Sequence, residues 1–259
     1  MSKFSHYYII RIEFLGFRYH GWQKQLKLKT IQGMVDKTIE FITGHTDFRT
    51  LGCGRTDARV SADDFVLELF LTKSLEALSF LSLLNKNLPS DIRALSVTET
   101  TAEFNIIQQA KVKEYHYYFS FGVKPHPFSA PLITDLGEVM DIDSMIAAAE
   151  LFRGIHNFRR FTADAKLDKD FTREILAIEI SKSDRFNSPS DPENTYVLKI
   201  KSKGFMRYQI RLIMGGLELL GKGKLTTNQL EDYLTHSNGE AMNNIVPGSG
   251  LILHRVRFG

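Results

Sequence analysis

One cysteine, Cys53, in 259 residues allows no internal disulfide, so the stapled scaffolds of small secreted proteins are excluded. Long apolar runs are also missing. The most apolar stretch, Ala77 to Leu84, falls far short of the roughly 20 residues a membrane helix needs, and no integral membrane protein is expected. Residues His6, Arg11, Glu13 and Arg18 interrupt the first thirty positions where a signal peptide needs an unbroken apolar stretch. A cytoplasmic, reduced location follows as the expectation. Proline and glycine number only 7 and 18, against 43% apolar residues, which excludes collagen-like and disordered classes and leaves an ordinary globular chain. A chain this long buries about three-quarters of its unfolded surface, enough for one large core or two smaller ones.

Charge of one sign is scarce as well. The balance of 33 Lys+Arg against 30 Asp+Glu leaves only +3, a weak signal for an anionic partner. Local distribution says more: Lys24, Lys27 and Lys29 cluster, Lys111 and Lys113 precede an aromatic run, Arg159 and Arg160 adjoin Phe158 and Phe161, and Lys222 and Lys224 lie between glycines. Each cluster alone reads as a solvated surface; several interleaved with Phe and Tyr fit the footprint of a nucleic-acid binder. The eight histidines show no H-x-H, H-E-x-x-H or Cys-His spacing, so no metal is expected. No G-x-x-x-x-G-K-[ST] pattern is present either.

Periodicity supplies the elements. Tyr8, Ile10, Ile12 and Phe14 alternate as in a strand buried on one face, and Ile31, Met34, Val35, Ile39 and Ile42 then switch to helical spacing behind Thr30 as N-cap. Further strands are expected around Phe65–Leu69, Ile92–Val97, Glu114–Phe121, Ile175–Ile180, Tyr196–Ile200 and Leu251–Val256, with helices over Leu75–Leu84, Ile142–Leu151 and Tyr208–Leu220. Asn187 to Asn194 carries turn formers and reads as an exposed hairpin loop. The fold class is therefore α+β: two α+β subdomains, 1–108 and 109–259, with mixed, antiparallel-rich sheets and a central cleft.

Between two strands lies Leu51-Gly-Cys-Gly-Arg-Thr-Asp-Ala-Arg-Val-Ser-Ala62. Its spacing suits a turn-capping aspartate and equally a carboxylate nucleophile beside an arginine on a scaffolded loop. Gly54-Arg-Thr-Asp-Ala58 resembles the GRTDA core of the tRNA pseudouridine synthase A family, and the resemblance runs in order along nearly the whole chain. Tyr19-His-Gly-Trp-Gln23 with Gln25 is similar to the family's Y-x-G-W-Q-x-Q, and Thr30-Ile-Gln32 to the T-x-Q opening its first helix. Lys113-Glu-Tyr-His-Tyr117, His156-Asn-Phe158, Thr172-Arg173, Gly204-Phe-Met-Arg-Tyr-Gln-Ile-Arg211 and Pro247-Gly-Ser-Gly-Leu-Ile-Leu253 resemble the remaining motifs.

The resemblance implies the pseudouridine synthase fold and isomerisation of uridine to pseudouridine in the anticodon stem-loop of tRNA, by a homodimer without cofactor or metal. It makes Asp57 the catalytic carboxylate, places Arg55 in the space left by the flipped base, and stacks Tyr115 on the target uracil. Arg211 pairs with Asp57, Leu251 packs in the uridine pocket, and Thr56 and Arg59 lie on the substrate side. Breaking an N-glycosidic bond to re-form a C–C bond needs an ionised carboxylate in a partly dry cleft; a bidentate guanidinium opposes the protonation that burial favours. Attack at C1′ and attack at C6 both stay open. Flipping a stacked base costs a few kcal/mol, which stacking on Tyr115, at roughly 1–3 kcal/mol, offsets.

The sequence departs from the family pattern GRTDAGVHA at Arg59 and Ser61, from Y-D-G at Leu15, and at Leu212, where Asn is usual. Arg59 and Ser61 are expected to tune which RNA fits. A non-catalytic RNA-binding module and a small-molecule hydrolase are the competing readings; the latter lacks a second acid/base partner and a phosphate signal.

Overall fold

The computed structural model describes residues 3–165, 170–186 and 192–259, so residues 187–191 of the expected hairpin loop lie outside the described residues. The chain divides into two compact units, residues 1–111 with 252–259, and residues 112–251.

In the first unit, β1 (His6–Phe14) carries the anticipated alternation: Tyr8, Ile10, Ile12 and Phe14 are all buried. Fully burying each of these large side chains contributes about 1.5–3 kcal/mol. Helix α1 (Ile31–Thr43) begins where Thr30 accepts a hydrogen bond from the Gly33 amide and stops at left-handed Gly44. Strand β2 (Phe48–Gly52) pairs antiparallel with β3 (Ser61–Leu71), whose residues Phe65 to Leu71 are all buried. Helix α2 (Ala77–Asn87) starts two residues later than the periodicity suggests, because the Glu76 carboxylate caps the Leu78 and Ser79 amides. Strand β4 (Ile92–Thr100) and the single turn α3 (Ile106–Gln109) complete the run. The sheet order is β4-β1-β3-β10, where β10 (Leu251–Phe258) joins β3 in parallel at Ile252–Ser61 and Leu253–Ala62.

The second unit is built on β5 (Ala110–Ser120), with β6 (Thr134–Asp135) beside it in parallel. After α4 (Ile142–Ala149) come the short edge strand β7 (Gly154–Asn157), then β8 (Thr172–Lys182) and β9 (Thr195–Ser202), giving the antiparallel order β5-β9-β8-β7. Helix α5 (Gln209–Gly221) is buried over most of its surface and follows Tyr208, a non-glycine residue held at φ +63°. Helix α6 (Thr227–Thr235), which apolar spacing does not suggest, is announced by a full capping box between Thr226 and Gln229. Within each unit the strand pairing is mixed and antiparallel-rich, as expected, with β3–β10 and β5–β6 the parallel pairs; the strands belong to one ten-stranded sheet and not to the two separate sheets expected. Among the described residues no helix is long and apolar enough to cross a membrane.

Candidate active site

Asp57 lies half-buried on the loop between β2 and β3, with Thr56 buried and Arg55, Ala58 and Arg59 exposed. The loop is held by backbone contacts from the segment after β1. The Trp22 amide donates to the Thr56 carbonyl (3.2 Å), and the Tyr19 carbonyl accepts from the Arg59 amide (3.0 Å). Gly21, at φ +84°, approaches so closely that a Cβ there would sit 2.2 Å from the Thr56 carbonyl oxygen. The Val60 amide donates to the Asp57 carbonyl (3.2 Å), closing a four-residue turn whose third residue, Arg59, has φ +68°. That position favours glycine, and glycine is what the family pattern has there. The buried Thr56 hydroxyl has no hydrogen-bond partner among the described residues.

The segment bracing this loop has its own anchor, which sequence reasoning missed. Asp91, at the mouth of β4, accepts from the Tyr19 hydroxyl (2.7 Å) and from Arg18 Nη2 (2.6 Å), while its carbonyl accepts the Leu15 amide (2.9 Å). Burial pushes the Asp91 carboxyl up, but the hydrogen bonds from Tyr19 and Arg18 and the guanidinium charge outweigh it and hold it below the usual range. Burial, with Asp91 as acceptor, raises Tyr19 well above an ordinary phenol.

In the second unit, Tyr115 stands half-buried in β5, its ring edge-on to Phe205 at 5.3 Å. Two positions along the strand, the buried Tyr117 hydroxyl donates to the Pro247 carbonyl (2.9 Å) and is hydrogen-bonded with the Thr134 hydroxyl (3.0 Å). Arg211, half-buried in α5, donates from Nε to the adjacent Val246 carbonyl (2.7 Å), and its guanidinium lies 4.7 Å from the Tyr208 ring centre. The Tyr118 amide reaches the Gly250 carbonyl (2.9 Å), and Leu251, 5% exposed, follows. The strap 246–251 thus gathers the strand of Tyr115, the helix of Arg211 and Leu251. Two other motifs prove to be cross-strand neighbours: His156 faces Arg173 and Asn157 faces Thr172 where β7 meets β8. Asp57, Arg55, Thr56 and Arg59 belong to the first unit, and Tyr115, Arg211 and Leu251 to the second.

Three expectations need correction. Ser61 faces no RNA: it is 2% exposed in β3, and its Oγ accepts the Gly16 amide at 2.9 Å. Arg160 leaves the basic footprint, being 7% exposed with its donors directed at protein carbonyls and Asp232. Lys222 is bound to Glu218 at 2.7 Å and only 16% exposed in its side chain, so it is an i,i+4 helix pair and not a solvated lysine.

Residues 148–259 match the protein-family model described as tRNA pseudouridine synthase. The chain is 29% identical over 247 residues to a tRNA pseudouridine synthase A of Clostridium botulinum strain Eklund 17B, covering 95% of this chain and 97% of that protein. A crystal structure of a Cbf5–Nop10–Gar1 complex aligns with a TM-score of 0.38 and 12% identity over 95% of this chain and 57% of that one, a likeness too slight to carry a residue's role. With the tRNA pseudouridine synthase A of Mesoplasma florum the identity is 30% over 262 residues, 97% of this chain and 98% of that one. Agreement at that level from end to end shows that this chain belongs to the tRNA pseudouridine synthase A family.

Proposed function

We propose that the chain isomerises uridine to pseudouridine in the anticodon arm of tRNA, with Asp57 as its catalytic carboxylate. Family membership makes it an isomerase acting on tRNA; the target uridine and the residue roles are the finer reading. One observation carries it: the Gly54–Ala58 motif sits on a loop whose backbone is fixed from both flanks, at Thr56 by Trp22 and at Arg59 by Tyr19. A carboxylate placed that way is preorganised for one geometry.

The chemistry assigns the remaining roles. Once the glycosidic bond is broken, the base must stay captive until C5 meets the sugar. Stacking on Tyr115 and packing against Leu251 serve that end, while Arg55 fills the gap left in the RNA stack. Arg211 is the guanidinium that keeps Asp57 ionised in a partly dry site. Thr56 and Arg59 lie on the substrate side. The protein acts in the cytoplasm as a homodimer.

Asp57→Asn is nearly isosteric but uncharged, and it abolishes pseudouridine formation on unmodified tRNA while folding and tRNA affinity stay unchanged. Activity within about tenfold of wild type, about 1.4 kcal/mol in the barrier, overturns the assignment of Asp57. Mapping the pseudouridine formed by the wild-type protein tests the target separately: a product outside the anticodon arm overturns that part alone.

A further inference from the structure

The carbonyl that holds Arg211 lies on a stretch without helix or strand, residues 236–250, so something other than regular structure must place it. The start of that stretch is secured from outside by Arg160, in the turn Arg159–Phe161. Its Nε donates to the Glu240 carbonyl (2.7 Å), and its Nη1 donates to the carbonyls of Asp232 and His236 (3.2 Å each) and to Asp232 Oδ2 (2.9 Å). The guanidinium carbon lies over the Tyr233 ring, 3.9 Å from its centre, and the Arg160 carbonyl accepts the Met242 amide at 2.8 Å. One buried side chain thus closes the C-terminal end of α6, where a cation complements the helix dipole, and fixes the chain leaving it. Two residues further on, Asn244 ties the stretch to α5 through the Gly215 carbonyl (3.0 Å) and Glu218 (2.9 Å). Two more residues bring Val246 to Arg211.

We infer that Arg160 is a positioning residue for the reaction: it holds the 236–246 stretch in the register that presents the Val246 carbonyl to Arg211 Nε, and so aims that guanidinium. The inference rests on the role given to Arg211 above. Arg160 touches no substrate, and its side chain is too enclosed to meet a phosphate. Its effect belongs in the chemical step, because a small misplacement of a reacting group is costly in rate and leaves the rest of the binding surface intact.

The test uses purified full-length protein and an unmodified tRNA transcript, with the single-turnover rate and tRNA affinity measured for each variant. Arg160→Lys keeps the charge but loses the fork. Gly239→Ala keeps the arginine but places a Cβ 2.6 Å from its Cζ, so it displaces the guanidinium without deleting it. Both variants, shown to be folded by circular dichroism, lose about ten- to hundredfold in rate with unchanged affinity. Neither loses more when added to Arg211→Lys, since a group acting through Arg211 has nothing further to misplace. Wild-type rates in folded variants, losses that multiply with that of Arg211→Lys, or a loss in affinity in place of rate each overturn the inference while leaving Arg211's role standing. A wild-type rate for Arg211→Lys alone overturns that role, and this inference with it.

Discussion

Arg59 is where residue chemistry and backbone geometry disagree. Its turn requires φ near +68°, a region where an L side chain costs roughly 1–2 kcal/mol, and glycine would relieve it. What the arginine supplies in return is an exposed guanidinium, 5.7 Å from the Phe17 ring centre, two positions after Asp57 and available to a phosphate. Two substitutions separate the effects. Arg59→Gly and Arg59→Ala delete the same guanidinium, but only glycine releases the backbone, so the glycine variant is the more stable of the two by about 1 kcal/mol in urea melts. Both shift which tRNA positions are modified, by the same amount, while the single-turnover rate on the best substrate holds. Equal stability of the two variants shows that the turn tolerates its residue without strain. A site preference that follows stability and not the lost guanidinium removes Arg59 from the RNA.

At the scale of elements, the Asp57 loop is as well placed as the segment behind it, and that segment depends on Asp91. Because the folded-state pKa of Asp91 lies below its ordinary value, its contribution to stability is fully present above about pH 4 and disappears as pH falls through the folded value. Asp91→Asn therefore costs about 1–3 kcal/mol at neutral pH, and the gap between variant and wild type closes on acidification. Urea denaturation of both proteins across a pH series measures it; a gap independent of pH rules out the charge as its source. The same elements show what the sequence could disclose. Alternation in β1 and helical spacing in α1 are local properties, and each was legible, as was the Asp57 loop through its motif. The β2 and β7 strands are only 5 and 4 residues long, too short for a period to declare itself. The capping box at Thr226 and Gln229 was a readable sign of α6 that apolar spacing hid. Asp91 and Arg160 were illegible for another reason: their partners lie 72 and 80 positions away in the chain, and a lone charged residue carries no mark of a distant acceptor. Burial turns Arg160 from an apparent RNA contact into an internal clamp.

For the whole molecule, a net charge of +3 is too small to hold a polyanion by overall attraction, so binding has to come from local clusters. With Arg160 internal and Lys222 bound to Glu218, exposed cations are found at Lys24, Lys27 and Lys29, at Arg55 and Arg59, and at Lys111 and Lys224. If several of these meet phosphates, each neutralised phosphate releases counterions, and log affinity for tRNA falls with log salt by roughly 0.7–0.9 per contact. Lys27→Ala then weakens tRNA binding at low salt and lowers that slope by about one contact. Arg160→Lys leaves the slope unchanged, because an internal cation releases no counterions from RNA. Filter binding over a salt series reads both slopes in one experiment, with free uridine as the control substrate. Turnover of free uridine as efficient as that of tRNA, or an affinity indifferent to salt, would mean that these cations serve solubility and that recognition does not run through phosphate contacts.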